Sequence, residues 1–320
     1  MLKVGFISLG CAKNLVDTEL MLGLLTKSNY IVTDSPEEAD ILIVNTCGFI
    51  DSAKEESIST ILQMAEFKRN GKCKGLIVAG CLGQRYQQEL LDELPEIDAI
   101  LGTGAWHLIV DAINELMAGR RVLLIKDNDT IYDEKMPRVL VTPQYSAYVK
   151  IAEGCNNCCS YCIIPKIRGK FRSRTIDSIK AEVRMLALQG VKEINLIAQD
   201  TTSYGRDLYG VPRLTSLLQE LVKNEEIRWI RLMYCYPVHF TDELIELISR
   251  ESKICKYIDL PLQHINNDIL KMMNRQDTRQ TIEQLLIKLR KQIPGVAIRT
   301  TFIVGFPGET DEQFNELKQF

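Results

Sequence analysis

Four cysteines, Cys155, Cys158, Cys159 and Cys162, crowd into the stretch EGCNNCCSYCIIP (153–165), more thiol than folding requires. Vicinal Cys158 and Cys159 cannot bridge each other without strain, which argues against a disulfide use. A structural zinc site joins two Cys or His pairs separated by a dozen or more residues. No second pair follows here, and His107, His239 and His264 are all distant in sequence. Cys155-x-x-Cys158 and Cys159-x-x-Cys162 each have thioredoxin-type spacing, but that pair opens a helix in a much smaller fold. The remaining candidate is an iron–sulfur cluster, which takes thiolates at short spacings. Three ligands on a four-iron cube leave one iron free for another ligand, as a catalytic cluster requires.

The elements that must hold these thiols follow from the hydrophobic pattern. In the first hundred residues one unit recurs: a β-rich run, a turn with a cysteine, then a helical stretch. KVGFISLG precedes Cys11, DILIVNT precedes Cys47 and GLIVAG precedes Cys81, each followed by a helical pattern. Strands alternating with helices imply βαβ units and a parallel sheet, whose strands end along one ligand-binding edge. Cys11, Cys47 and Cys81 therefore sit at equivalent points of three units and can meet in space, whereas Cys73 precedes its strand and reads as packing. Residues 126–143, polar and carrying Pro137 and Pro143, read as a linker between an α/β domain (1–125) and a second domain (144–320). There, strands at 146–153, 193–199, 227–235, 256–262 and 296–305 alternate with helices at 176–189, 213–224, 241–250, 279–292 and 310–320. Five βα units suggest a full or partial barrel with functional groups on the loops after the strands, the cysteine loop being the first.

Composition narrows the class. With 46% hydrophobic and 25% charged residues the chain can build two cores, and 39 basic against 42 acidic residues leave a net charge of −3, so any RNA contact would be local. Apolar runs fall short of the roughly 20 residues that span a bilayer. The start MLKVGFISLGCAKN reads as a strand, not a secretion signal. Ten cysteines without export fit the cytoplasm, where disulfides are rare, and the Asn128-Asp129-Thr130 sequon then carries no weight.

Read as Cys155-x-x-x-Cys159-x-x-Cys162 with Tyr161 before the last thiol, the loop resembles the signature of radical S-adenosylmethionine enzymes, built on full or partial (β/α) barrels. A second trio, Cys11, Cys47 and Cys81, in a preceding α/β domain resembles the methylthiotransferase branch. SLGCAKNLVDTE (8–19), NTCGFIDSAKEES (45–57), AGCLGQRY (79–86), CIIPKIRGK (162–170), AQDTTSYGRDLYG (198–210), PLQH (261–264) and TTFIVGFPGET (300–310) are similar to the branch acting on ribosomal protein, and the likeness covers nearly all 320 residues. The Gln-Met-Asn run usual after the first cysteine of transfer-RNA adenosine enzymes is absent, as is the Asp-x-His-x-x-Gly motif of cobalamin-dependent relatives.

The resemblance implies two [4Fe–4S] clusters, on Cys155, Cys159 and Cys162 and on Cys11, Cys47 and Cys81, with S-adenosylmethionine bound at the first and cleaved to a 5′-deoxyadenosyl radical. It further implies hydrogen abstraction from the β-carbon of an aspartyl residue in a small-subunit ribosomal protein, sulfur from the second cluster, and a low-potential electron donor. Such chemistry lies beyond acid–base side chains, so a cofactor supplies it. Cys158 becomes a bystander. Tyr161, Gln199, Ile303 and Gly305 are expected at S-adenosylmethionine, and Asp200 either contacts ribose or substrate or caps the next helix. The alternatives are a transfer-RNA adenosine methylthiotransferase and an iron–sulfur protein without turnover. The second is kept because the sequence stops within the helix after the fifth strand, before the sixth strand and the TRAM domain that relatives usually carry.

Three features read as structural. Arg168, Lys170, Arg172 and Arg174 form a solvated basic loop, with a grip on cofactor carboxylate or acidic substrate as the alternative. His264, Cys235 and Cys255 are packing or hydrogen-bonding residues. Gly102-Thr103-Gly104 lacks the third glycine of a dinucleotide loop.

Overall fold

A computed structural model describes residues 1–129 and 131–320, so Thr130 of the sequon lies outside the described residues. The chain forms two compact units, Met1–Val141 with Ile163–Lys170, and Thr142–Cys162 with Phe171–Phe320.

The first unit holds a six-stranded parallel sheet of β1 (Lys3–Ser8), β2 (Ile31–Thr33), β3 (Ile41–Thr46), β4 (Gly75–Gly80), β5 (Ala99–Leu101) and β6 (Val122–Leu124), in the order β2-β1-β3-β4-β5-β6. The helices are α1 (Ala12–Lys27), α2 (Asp51–Asn70), α3 (Cys81–Glu93), α4 (Ile109–Met117) and α5 (Ile164–Arg168). The central strands β3 and β4 are buried at every position, which is why ILIVNT and GLIVAG are nearly continuous apolar runs. Leu42, Val44, Leu76 and Val78 of these strands pack with Ile61 and Ala65 of α2 and Leu82 and Leu90 of α3. β1 pairs on both sides within the sheet, in accord with its reading as a strand.

Residues read as linker, as far as Val141, belong to this unit. Fully buried Glu19 of α1 holds them: it accepts from Arg138 Nε at 2.9 Å and from the Val141 N–H at 2.9 Å, while its carbonyl accepts from the Val139 N–H at 3.0 Å. Ile163–Lys170, expected with the barrel, joins the first unit as well.

The second unit carries a five-stranded parallel sheet, β7 (Ser146–Lys150), β10 (Glu193–Ile197), β11 (Trp229–Leu232), β12 (Ile254–Asp259) and β13 (Ala297–Arg299), ordered β13-β12-β11-β10-β7. Leu196 pairs with Val149 on one side and Leu232 on the other. β8 (Ala152–Glu153) and β9 (Arg172–Ser173) form an antiparallel pair. The helices are α6 (Ile176–Leu188), α7 (Arg206–Tyr209), α8 (Leu214–Leu221), α9 (Asp242–Arg250), α10 (Asn267–Met272), α11 (Arg279–Gln292) and α12 (Asp311–Gln319). Threonine hydroxyls at 175, 241, 278 and 310 accept from backbone N–H groups three residues on and fix where α6, α9, α11 and α12 begin. This parallel sheet with helices between successive strands is the architecture of a partial (β/α) barrel. β13 is shorter than the sequence suggests; beyond Arg299 pairing continues only as a bridge between Gln263 and Phe302. No helix among the described residues is long and apolar enough to cross a membrane.

Candidate metal centres

In the first unit the three thiols occupy the carboxyl ends of neighbouring strands, Cys11 after β1, Cys47 after β3 and Cys81 after β4. Two glycines let the three loops approach. Gly10 has φ +85°, and a Cβ there would lie 2.8 Å from Cys47 Cβ and 3.2 Å from its sulfur. Gly80 has φ +89°, and a Cβ there would meet Asn45 Oδ1 at 2.3 Å and the Thr46 carbonyl at 2.8 Å.

Buried polar side chains then tie the loops together. Asn14 Nδ2 donates to the Leu9 carbonyl at 2.7 Å and the Thr46 carbonyl at 3.2 Å, and Asn45 Nδ2 returns a bond to the Asn14 carbonyl at 2.8 Å. Thr46 Oγ1 donates to the Ala79 carbonyl at 2.6 Å, linking the second loop to the third. Ser57 brackets Cys47, accepting from its N–H at 3.1 Å and donating to its carbonyl at 2.9 Å.

The electrostatics favour thiolate unevenly. Around Cys11 burial pushes the pKa up, but Lys13, Arg168 and the Asn14 and Lys13 N–H groups at the start of α1 outweigh it, and the net direction is down. Cys47 and Cys81 go up because burial dominates, Cys81 to about 11, with Arg168 opposing in both. Cys81 feels both Cys11 and Cys47, and Cys47 feels Cys11, so the three lie within electrostatic reach. Cys73 is buried elsewhere, donating to the Gly75 carbonyl at 3.3 Å.

In the second unit Cys155, Cys159 and Cys162 are half-buried on the loop after β8 and Cys158 is exposed. The loop is pinned from outside itself. Asn274 Nδ2 donates to the Cys158 carbonyl at 2.9 Å, the Ser160 N–H to the Met273 carbonyl at 3.0 Å and Ser160 Oγ to the Met272 carbonyl at 2.8 Å. Asn157 Nδ2 donates to Asp200 Oδ2 at 3.0 Å. Asp200, buried three residues past the end of β10, also accepts from Thr202 Oγ1 at 2.7 Å and the Ser203 N–H at 3.1 Å, and its Oδ2 lies 3.0 Å from His239 Nδ1. Burial would raise its pKa, but His239, Ser203 and Asn157 hold it below the usual carboxylate value. Asp200 thus caps the turn at Thr201–Ser203 and steadies the cysteine loop at once. Burial pushes the Cys155 thiol up to about 12, with Cys162 and Cys159 adding to the rise.

The residues expected at S-adenosylmethionine are spread along this edge. Tyr161 is shifted up by burial and by Cys159, with Arg275 opposing. Gln199 Nε2 donates to Glu153 Oε1 at 2.7 Å, while its buried Oε1 has no hydrogen-bond partner. Glu153 accepts in turn from buried Lys150 at 2.6 Å. Ile303 donates its N–H to the Gln263 carbonyl at 2.7 Å, and Gly305, with φ +70°, is exposed.

The basic run is where structure corrects the sequence. Arg168 and Arg174 are each only 2% exposed, so these two are not solvated, whereas Lys170 is exposed as expected and Arg172 is half-buried. Arg174 pairs with Glu182 and donates to the Lys150 carbonyl at 3.1 Å. Arg168 reaches Asp17 at 2.7 Å and Asn14 Oδ1 at 3.1 Å. His264 is buried and structural, accepting from the Asn266 N–H at 3.0 Å and lying 3.1 Å from Glu309. Thr103, read as part of no dinucleotide motif, donates to the Ile167 carbonyl at 2.5 Å.

Both trios fit iron–sulfur clusters by donor chemistry: three thiols in mutual electrostatic reach, backed by N–H donors. A four-iron cube takes thiolates at separate corners, so they need not converge on one point; among the described residues no three His, Cys, Asp or Glu side chains converge to hold a single ion.

Residues 3–102 match the Uncharacterized protein family UPF0004, and residues 149–320 match the Radical SAM superfamily. "Ribosomal protein uS12 methylthiotransferase RimO" of Desulforamulus reducens is 59% identical over 321 residues, spanning 100% of this chain and 72% of that one. The proteins of that name from Pelotomaculum thermopropionicum and Clostridioides difficile are each 52% identical, again spanning 100% of this chain and 72% of theirs. Among solved structures, the radical S-adenosylmethionine methyltransferase TsrM from Kitasatospora setae matches with a TM-score of 0.71 at 15% identity, spanning 100% of this chain and 70% of that one. The cobalamin-dependent radical enzyme OxsB matches at 0.64 and 10%, spanning 100% and 51%. At such identities these two speak for the fold alone. By the match to its sequence relatives over its whole length, the chain belongs to the ribosomal protein uS12 methylthiotransferase (RimO) family of the radical S-adenosylmethionine superfamily.

Proposed function

We propose that this chain transfers a methylthio group to the β-carbon of an aspartyl residue in ribosomal protein uS12. It does so with two [4Fe–4S] clusters and S-adenosylmethionine, as a radical S-adenosylmethionine methylthiotransferase. Cys155, Cys159 and Cys162 hold the cluster that binds S-adenosylmethionine, and Cys11, Cys47 and Cys81 hold the other. The observation that carries this reading is the pair of thiol trios, one at the strand ends of a parallel sheet and one on the loop after β8, in a chain so similar to uS12-modifying relatives.

When bound, these cofactors supply C–H activation, sulfur and methyl, none of which side chains provide. The protein's own residues bind and orient. Asp200 and Asn157 keep the cysteine loop in place, and Ser57, Asn14 and Thr46 keep the three strand-end thiols in register. Tyr161, Gln199, Ile303 and Gly305 are assigned to S-adenosylmethionine, the unpaired Oε1 of Gln199 being an acceptor ready for a ligand donor. A low-potential donor delivers electrons, and any RNA contact is local.

The test offers uS12 and tRNA separately to anaerobically reconstituted protein with reductant and S-adenosylmethionine. About eight irons per chain and a methylthio-aspartyl peptide from uS12 are expected. Methylthio-adenosine in tRNA with untouched uS12 would overturn the substrate assignment.

A further inference from the structure

We propose that Arg168 is a positioning residue of the Cys11, Cys47 and Cys81 centre, holding a fixed positive charge and an N–H donor against the Cys81 sulfur. The inference rests on the reading that this trio carries a cluster.

Arg168 ends α5, six residues after Cys162 in sequence, and folds with the first unit. Its guanidinium is buried and fans out over three partners: Nη1 donates to Asp17 Oδ2 at 2.7 Å, and Nη2 donates to Asn14 Oδ1 at 3.1 Å and to Cys81 Sγ at 3.6 Å. Asp17 and Asn14 lie on α1, which starts beside Cys11, so they set the angle at which the fork meets the sulfur.

A bare ion pair with Asp17, serving only to seat α5, would account for less. Seating is already provided next door, where the Ile167 carbonyl accepts from Thr103 Oγ1 at 2.5 Å and from Asn128 Nδ2 at 3.0 Å. Isolated buried ion pairs give little net stability, so a guanidinium turned toward a ligand sulfur points to a use at that sulfur. A planar fork suits it, since one head can bond a carboxylate, an amide oxygen and a sulfur in fixed directions. Positive charge and N–H donors at ligand sulfur favour the more negative, reduced form of a cluster and raise its potential.

Arg168→Gln alone would take the guanidinium away from the buried Asp17 carboxylate, so the informative variant is Arg168→Gln with Asp17→Asn, which removes both charges. The parent is the full chain with Cys155, Cys159 and Cys162 changed to Ala, leaving one trio to bind iron. After anaerobic reconstitution, iron content, the urea midpoint and the reduction potential are measured on the parent, the double variant and Arg168→Lys. The double variant is expected to bind iron and to shift the potential negative by about 59 mV or more, a tenfold change in the one-electron equilibrium. Arg168→Lys, which keeps charge but loses the fork, should shift less. Loss of iron at an unchanged urea midpoint would also support the proposal. The parent's potential in the double variant would overturn it, leaving Arg168 as Asp17's partner alone. Should the double variant fail to fold, Arg168→Lys decides: a negative shift supports the proposal and the parent's potential overturns it. A parent that takes up no iron would instead overturn the cluster reading itself.

Discussion

The two thiol trios are built in opposite ways. In the first unit each cysteine belongs to a different βα junction, and the parallel sheet itself brings the three together. In the second all three lie on one loop, and their arrangement depends on hydrogen bonds donated to Asp200 and to the Met272 and Met273 carbonyls and on one donated by Asn274, all far along the chain. The first trio is as rigid as the buried strands that carry it; the second is as firm as its polar pins. A strand-end trio should therefore be vulnerable to packing changes and a loop trio to loss of single hydrogen bonds.

The largest effect comes from removing a ligand. Cys159→Ala should halve the iron of reconstituted protein, from about eight to about four, and abolish S-adenosylmethionine cleavage, while Cys158→Ala keeps both. Cys47→Ala should halve the iron too but leave the loop's cluster spectrum intact. Iron analysis and electron paramagnetic resonance separate the cases. If Cys158→Ala loses iron and Cys159→Ala does not, the ligand register within the loop is wrong and the comparison must be redrawn.

Next comes the backbone beneath the strand-end trio. Gly80→Ala places a methyl group 2.3 Å from Asn45 Oδ1 at φ +89°, a conformation that disfavours any side chain. We expect a loss of about 2 kcal/mol or more in denaturant unfolding. Gly305→Ala shares a positive φ, +70°, but has open space around it, so strain alone applies, about 1 kcal/mol. Equal losses at the two sites would mean that crowding of the strand-end loops contributes nothing.

How far the sequence reveals such features depends on distance along the chain. The strands that carry the first trio are legible because a buried parallel strand is one apolar run, and Gly75–Gly80 coincides with the reading of GLIVAG. β2, β5 and β6 were not legible: three residues each, and in IVT two of them exposed, they have no periodicity to show. The burial of Arg168 was equally invisible, since its partners Asp17 and Asn14 lie 151 and 154 residues away and a basic run looks solvated wherever its acids are remote. The double duty of Asp200 had the same cause, for Asn157 lies 43 residues upstream and His239 39 downstream. The cysteines were legible because their spacing is itself the signal.

The loop pins give the subtler tests. Asp200→Asn keeps the shape but removes a buried charge that receives several hydrogen bonds, each of the charged kind worth about 1.5–3 kcal/mol. Because the folded pKa of Asp200 lies below the unfolded value, its stabilisation is present above the ordinary aspartate pKa of about 3.9 and fades as pH falls through the lower folded value. Apo-protein unfolding should thus lose part of its acid limb in the variant, and the loop should hold its four irons less well while the strand-end trio keeps its own. An acid limb identical to that of the unaltered protein would remove Asp200 from the account.

The smallest expected effect is at Asn274, and it is the sharpest probe of the comparison because it touches the loop through a single exposed bond. Its amide reaches the carbonyl of Cys158, a residue in the left-handed region at φ +50°, which stays there only because its surroundings hold it. Asn274→Ala should cost about 0.5–1 kcal/mol in global unfolding. Yet it frees the turn between two proposed ligands, so iron release from the loop to a chelator should quicken more than the stability change alone accounts for. Release from the strand-end trio, followed in the Cys155, Cys159 and Cys162 to Ala background, should not change. If both trios release iron at unaltered rates, the loop is held by its own backbone geometry, and the contrast between a sheet-borne and a pinned centre loses its basis.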